Sequence, residues 1–176
     1  MVTKPTALQL TALAQRSSYV ENVLRHALIA QLSSLVWRRD PLAALEVFNA
    51  EVDSTGFDVV LSLGGAVRYV QLKQAHAGKV PASCSIRSSF AEIPGACLVL
   101  MSHTADSLEL THFRFFGGGP GQPMGDVRAF RTSKSAGRRS SAGVRKTREN
   151  YKDVPRRAFE GPMTASALLE RLFPSS

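Results

Sequence analysis

Apolar and polar positions divide this chain into one long helical stripe, several short alternating runs and a closing amphipathic segment. Val20, Leu24, Ala27, Leu28, Leu32 and Leu35 recur at helical spacing, which predicts a helix from Ser18 to about Arg38. Asp40-Pro41 ends it, because proline cannot continue a helix and drives the residue before it out of the helical region. Leu45 to Phe48 reads as a strand, and Phe57 to Leu63 and Val67 to Lys73 as two more, joined at Gly64-Gly65, a preferred centre for a tight hairpin turn. A short helix is expected near Ile86 to Ile93. Ala96 to Met101 is an unbroken apolar run, the pattern of a strand covered on both faces. Leu108 to Phe116 alternates and stops at the glycines beginning with Gly117; these lack the Gly-x4-Gly-Lys-Ser/Thr spacing of a phosphate loop and read as a turn. Residues 1–16 read as a loose helix or arm, and TASALLERLF as a final helix capped by Thr164.

The hairpin concentrates the candidate chemistry. Alternation gives Val67, Tyr69, Gln71 and Lys73 one face of the second strand, and Arg68, Val70 and Leu72 the other. A loop centred on Gly64-Gly65 sets Asp58 opposite Gln71, with Cβ atoms roughly 5 Å apart. An acid, an amide oxygen and a lysine amine then share one patch of sheet. A one-residue slip would send the set to the other face. Spacing alone favours a plain surface pair of Asp58 and Gln71; the order of elements around them, amphipathic helix, strand, Asp strand, Gln-x-Lys strand, helix and apolar strand, favours a site.

Asp-x(n)-Gln-x-Lys across a hairpin resembles the core of the PD-(D/E)xK nuclease superfamily, in the Gln-x-Lys form of the methyl-directed, Mrr-like restriction enzymes. The resemblance covers about Glu21 to Met101. It implies a restriction-endonuclease-like α/β/α core, with a mixed central sheet and flanking helices, and a metal-dependent nuclease acting most readily as a DNA endonuclease in defence or repair. Asp58, Gln71, Lys73 and Glu21 would form the catalytic set. Asp58, the Gln71 side-chain oxygen, the Leu72 carbonyl and Glu51 would hold Mg²⁺ or Mn²⁺, which take hard oxygen ligands. Lys73 would act as base or as electrostatic anchor. Glu21 has a second reading: Ser18-Tyr-Val-Glu21 fits a capping box, in which the glutamate returns to the N-cap amide. Glu51 can likewise be read as a solvated acid entering the turn Asp53-Ser-Thr-Gly56.

Charge sharpens the picture. The chain has 176 residues, read as a single domain 1–176, with a formal net charge of +8. Residues 126–157 contain 11 Lys or Arg and 3 acids, so the whole excess lies there. Such asymmetry points to a polyanion. Lys134, Arg138, Arg139, Arg145, Lys146 and Arg148 are the candidate nucleic-acid contacts. Serine and glycine between them suit backbone contact, and DNA is favoured over RNA. The stretch 131–149 is at best a weak helix, ordered by nucleic acid. Two further readings compete: a nuclease fold that binds DNA without turnover, and an interaction protein whose basic arm takes an acidic partner. Cutting both strands would call for two sites and hence a homodimer. No run of about 18 apolar residues is present and no membrane partner is expected. The first residues lack a compact apolar core after a basic start and do not read as a signal peptide, and Cys84 and Cys97 read as buried thiols, so a cytoplasmic location is expected.

Overall fold

The computed structural model describes residues 5–49, 56–76, 79–134 and 147–174. The helical stripe becomes α2 (Ser17–Arg39), in which Val20, Leu24, Leu28, Leu32 and Val36 are buried. They are the spine of one of two cores; truncating a leucine in such a setting costs ~2–5 kcal/mol. Before it lies α1 (Ala7–Gln15), opened by a capping box between Thr6 and Gln9. The box expected at Ser18 does not form. Arg16 is at once the C-cap of α1 and the N-cap of α2, so Ser18 already lies inside the helix and no side chain caps its start.

Among the described residues nine strands follow: β1 (Glu46–Asn49), β2 (Val59–Leu63), β3 (Ala66–His76), β4 (Ser83–Arg87), β5 (Ala96–His103), β6 (Leu110–Gly117), β7 (Thr132–Lys134), β8 (Thr147–Pro155) and β9 (Glu160–Met163). Six of them form a mixed sheet in the order β1-β2-β3-β5-β6-β9, and β4, β8 and β7 form a second, three-stranded sheet. Within the large sheet only the β3–β5 pair is parallel. β5 is buried at every position, as its unbroken apolar run requires when both faces of a sheet are covered. The β2–β3 hairpin turns at Gly64-Gly65, both with positive φ, and pairs Leu63 with Ala66 and Val59 with Val70. That is the register expected from the double glycine.

One face of the large sheet packs on α2 and on α4 (Ala165–Leu172), whose Thr164 hydroxyl accepts from the Ala167 amide at 3.2 Å. The other face is covered differently from the expectation of helices. The segment Ser83-Cys-Ser-Ile-Arg87 alternates buried and half-buried residues and forms β4; only Ser88–Ala91, the single-turn α3, is helical there. Cys84, Ile86 and Val154 of the small sheet pack with Phe90 of α3 against Ala96, Leu98 and Leu100. The flanks of the basic segment are strands as well: Lys134 pairs with Thr147, and Ser133 with Arg148. The weak helix expected over 131–149 is therefore absent from its described parts, because β8 has a ready partner in β4. The protein is thus a mixed α/β structure. Among the described residues no helix is long and apolar enough to cross a membrane.

Candidate functional site

The site arises because β3 outruns β2. β2 pairs with β3 only as far as Val59 opposite Val70, while β3 continues to His76. At this fork the Asp58 amide donates to the Val70 carbonyl at 2.9 Å, and the Asp58 Oδ2 accepts from the Leu72 amide at 2.6 Å. The carboxylate thus stands where the next residue of β2 would have supplied a ladder acceptor. Along a strand the N–H and C=O of one residue point the same way, so the Leu72 carbonyl faces the same side, beyond the last pair of β2. Asp58 therefore does not sit squarely across from Gln71 as a ladder partner; it turns in over Leu72, between Gln71 and Lys73.

A cavity of about 480 Å³ opens at the fork. Its walls include Asp58, Gln71, Leu72 and Lys73 from the hairpin, Glu21 and Arg25 from α2, and Ser83 and Cys84 from β4. Five predicted residues, Asp58, Gln71, Leu72, Lys73 and Glu21, are thus gathered around one space. Glu21 lies in the second turn of α2, exposed, with its Oε1 3.4 Å from Gln74 Nε2. Of its two readings, capping is excluded by the position of the helix start, which leaves the carboxylate at the cavity wall.

Two side-chain oxygens here are notable. Gln71 Oε1 and Gln74 Oε1 are both buried and accept no hydrogen bond among the described residues. An unpartnered buried acceptor costs ~1–3 kcal/mol, and a cation offers such an oxygen what the protein does not. With the Asp58 carboxylate and the Leu72 carbonyl, Gln71 Oε1 completes a set of hard oxygen donors, the type that suits Mg²⁺ or Mn²⁺ rather than a soft metal. The set does not rest on clustered acids, since no group of three His, Cys, Asp or Glu forms among the described residues. Cys84 at the wall is a neutral thiol: burial pushes it up to about 11, against the opposing pull of the Lys73 ammonium.

The remaining predicted residues fare unequally. Glu51, Arg138, Arg139, Arg145 and Lys146 lie outside the described residues. Lys134 is exposed at the end of β7, and Arg148, on β8, reaches a smaller cavity that also contains Lys73. Other basic residues of the segment are engaged elsewhere. Arg128 pairs with Glu92 at 2.9 Å, Lys152 Nζ donates to Thr132 Oγ1 at 3.1 Å, and Arg156 and Arg157 border a separate cavity with Arg114. Sequence reasoning assigned no task to Gln74, Arg87 or Tyr151. The alternation of β4 was the signal for Arg87. Gln74 follows the motif directly but falls on the opposite face from Lys73, and the run of β3 past the end of β2 brings it to the cavity.

No protein-family model matches this chain, nor does any curated protein or solved structure.

Proposed function

We propose that the cavity at the β2–β3 fork is the centre of a metal-dependent nuclease, most simply a DNA endonuclease, on a restriction-endonuclease-like core. The observation that carries this reading is the buried Gln71 Oε1, without a hydrogen-bond partner among the described residues, on a side chain that lines the same cavity as Asp58 and Lys73. Asp58, Gln71 and the Leu72 carbonyl would hold the ion, with Glu21 adding charge from α2. A divalent cation bound there supplies Lewis acidity, lowering the pKa of a coordinated water and offsetting charge on the phosphate. Asp58 Oδ2 is fixed by the Leu72 amide, so the carboxylate is oriented before any ligand arrives. Lys73 shares the Gln71 face of β3; its ammonium would hold the attacking water or a phosphate oxygen by charge-assisted hydrogen bonds. The +8 charge, all of it in residues 126–157, supports a polyanionic substrate.

A nicking assay on supercoiled DNA with Mg²⁺ or Mn²⁺ tests the reading. Metal-dependent conversion that Asp58→Ala and Lys73→Ala abolish would support it; conversion that survives both substitutions, or none with either metal, would overturn it. One observation favours a second reading, a DNA-binding protein of this fold without turnover. Gln71 stands where an acid would bring charge, and among the described residues the carboxylates lining the cavity are Asp58 and Glu21. Salt-sensitive DNA binding with no metal-dependent nicking would select it.

A further inference from the structure

Gln71, Lys73 and Ser85 border two cavities, and the proposed metal cradle uses only one. The second, of about 230 Å³, is completed by Arg87, Arg148 and Tyr151. Strand register builds it. β4 and β8 pair Arg87 with Tyr151 and Ser85 with Asp153, so Ser85, Arg87 and Tyr151 share one face of the small sheet, opposite the buried Cys84, Ile86 and Val154. Arg87 Nη2 donates to Tyr151 Oη at 3.2 Å, and the Arg148 guanidinium carbon lies 3.4 Å from the centroid of the same ring. The Tyr151 phenol is held below its usual pKa, first by the Arg87 hydrogen bond and further by the charges of Arg87 and Arg148. Among the described residues none that line this cavity carries a carboxylate. Three cations from two different sheets therefore face one small space around an aromatic platform.

We infer that Lys73, Arg87 and Arg148, gathered around Tyr151, form a phosphate subsite beside the metal cradle, and that it seats the phosphate neighbouring the one to be cut. A phosphate is attracted by clustered cations and takes the N–H donors of guanidinium groups. Placement agrees: the two cavities share Gln71, Lys73 and Ser85 as a common wall, so a strand held in one passes directly into the other. Lys73 at the shared wall would touch both phosphates and so set the register of the strand on the metal. Only the position of that phosphate beside one to be cut rests on the nuclease reading; the phosphate site and its use on nucleic acid do not.

The test omits turnover. Anisotropy of a short fluorescein-labelled duplex, titrated in EDTA across a range of salt, is read for the wild type and for Arg87→Gln, Arg148→Gln and Asp58→Asn, with inorganic phosphate as competitor. Each arginine variant should weaken binding about tenfold at low salt and lower the log–log salt slope by about 1, equally on unrelated sequences. Asp58→Asn should bind as well as wild type or better, because it removes a negative charge beside an anion. Phosphate should compete against wild type and lose its effect on the arginine variants. Arg148 is exposed, so Arg148→Gln decides the matter should Arg87→Gln fail to fold. Wild-type affinity and salt slope in both arginine variants would overturn the subsite. Phosphate binding that needs both arginines, without duplex binding, would keep an anion site and overturn its assignment to nucleic acid. A protein that binds as expected but never cuts DNA would sink the nuclease proposal and leave this one standing.

Discussion

β3 carries two cations, Arg68 and Lys73, on opposite faces, and they differ in a way that burial alone would misjudge. Arg68 is fully buried on the helix side. Its guanidinium lies 5.6 Å from the centroid of the Phe115 ring, its Nη2 donates to the Gly118 carbonyl at 2.9 Å, and its Nε and Nη1 have no partner among the described residues. Lys73 is only half-buried and borders two cavities. Arg68 is the costlier residue to accommodate, yet its surroundings are ring, main chain and the Cys97 thiol, the walls of a packed core. The difference follows from where pairing ends. Arg68 sits opposite Leu61 inside the β2–β3 ladder, whereas Lys73 lies beyond the last paired residue of β2. An unsatisfied buried charge marks strain; a charge beside an open strand edge marks a site.

Turnover should separate the two most sharply. Asp58→Asn is expected to lose metal binding and all measurable nicking. Lys73→Met should keep metal affinity in a Mn²⁺ titration while cutting the nicking rate ~10²–10³-fold, the range for removing one preorganised electrostatic donor. Arg68→Met should leave the rate per folded molecule unchanged. A loss in Arg68→Met comparable to that in Lys73→Met would mean that both faces of β3 serve the reaction, and the contrast drawn above would fail.

Stability should invert the order. Arg68→Ala removes a large side chain from a closed core and is expected to cost ~2–5 kcal/mol in urea unfolding. Arg68→Met keeps most of the volume and removes a desolvated charge, so it should be neutral or stabilising by ~1–4 kcal/mol, as when buried ionic groups give way to well-packed apolar ones. Lys73→Met should change stability by no more than about 0.5 kcal/mol, the usual range for a position outside the packed core. A strongly destabilised Arg68→Met would show that the charge itself holds Gly118 and Phe115 in place.

How much of this was legible in the sequence divides along the same line. The hairpin register was, since Gly64-Gly65 fixes it locally and alternation does the rest. The stripe of α2 and the covered strand β5 were legible for the same reason: period and burial go together. What was hidden depends on partners distant in the chain. Ser83–Arg87 alternates over only five residues, too few to outweigh the helical reading of the segment that follows, and its pairing with β8 bridges more than sixty positions. With it went Arg87 and Tyr151. The premature end of β2 was equally invisible, so Asp58 was expected across from Gln71 rather than turned over Leu72. Glu21 misled for a local reason, since a capping-box pattern cannot tell whether a preceding helix has already placed its serine inside.

Glu21 offers a smaller test. It touches the cavity only through its exposed carboxylate and Gln74, at 3.4 Å. Glu21→Gln should slow nicking by no more than about tenfold, one exposed charge at the rim being worth ~1 kcal/mol or less. It should leave helical content and unfolding midpoint unchanged, because it caps nothing. An unfolding midpoint that falls with Glu21→Gln would restore a structural role for the residue.

The finest contrast is between the two thiols, each beside one of the two cations. Cys97 is fully buried next to Arg68, and Cys84 lines the cavity that Lys73 borders. Burial pushes both up to about 11 despite those cations. Folding therefore favours the neutral thiols; this contribution is intact below an unfolded-state pKa of about 9 and is lost as pH rises through about 11. Stability should fall across that window, and less so in Cys97→Ala when its change between pH 8 and 10 is compared with that of wild type. At pH 8 a thiol raised by two units has ~10²-fold less thiolate than one at its ordinary value, so both should alkylate slowly. Cys84, at the cavity wall, should nonetheless react first with iodoacetamide, and added phosphate-bearing oligonucleotide should slow it. Cys97 should wait for unfolding. Equal labelling of the two, followed by mass spectrometry, would mean that the Arg68 side of β3 opens as readily as the Lys73 side, and the distinction between a strained core and an accessible edge would not hold.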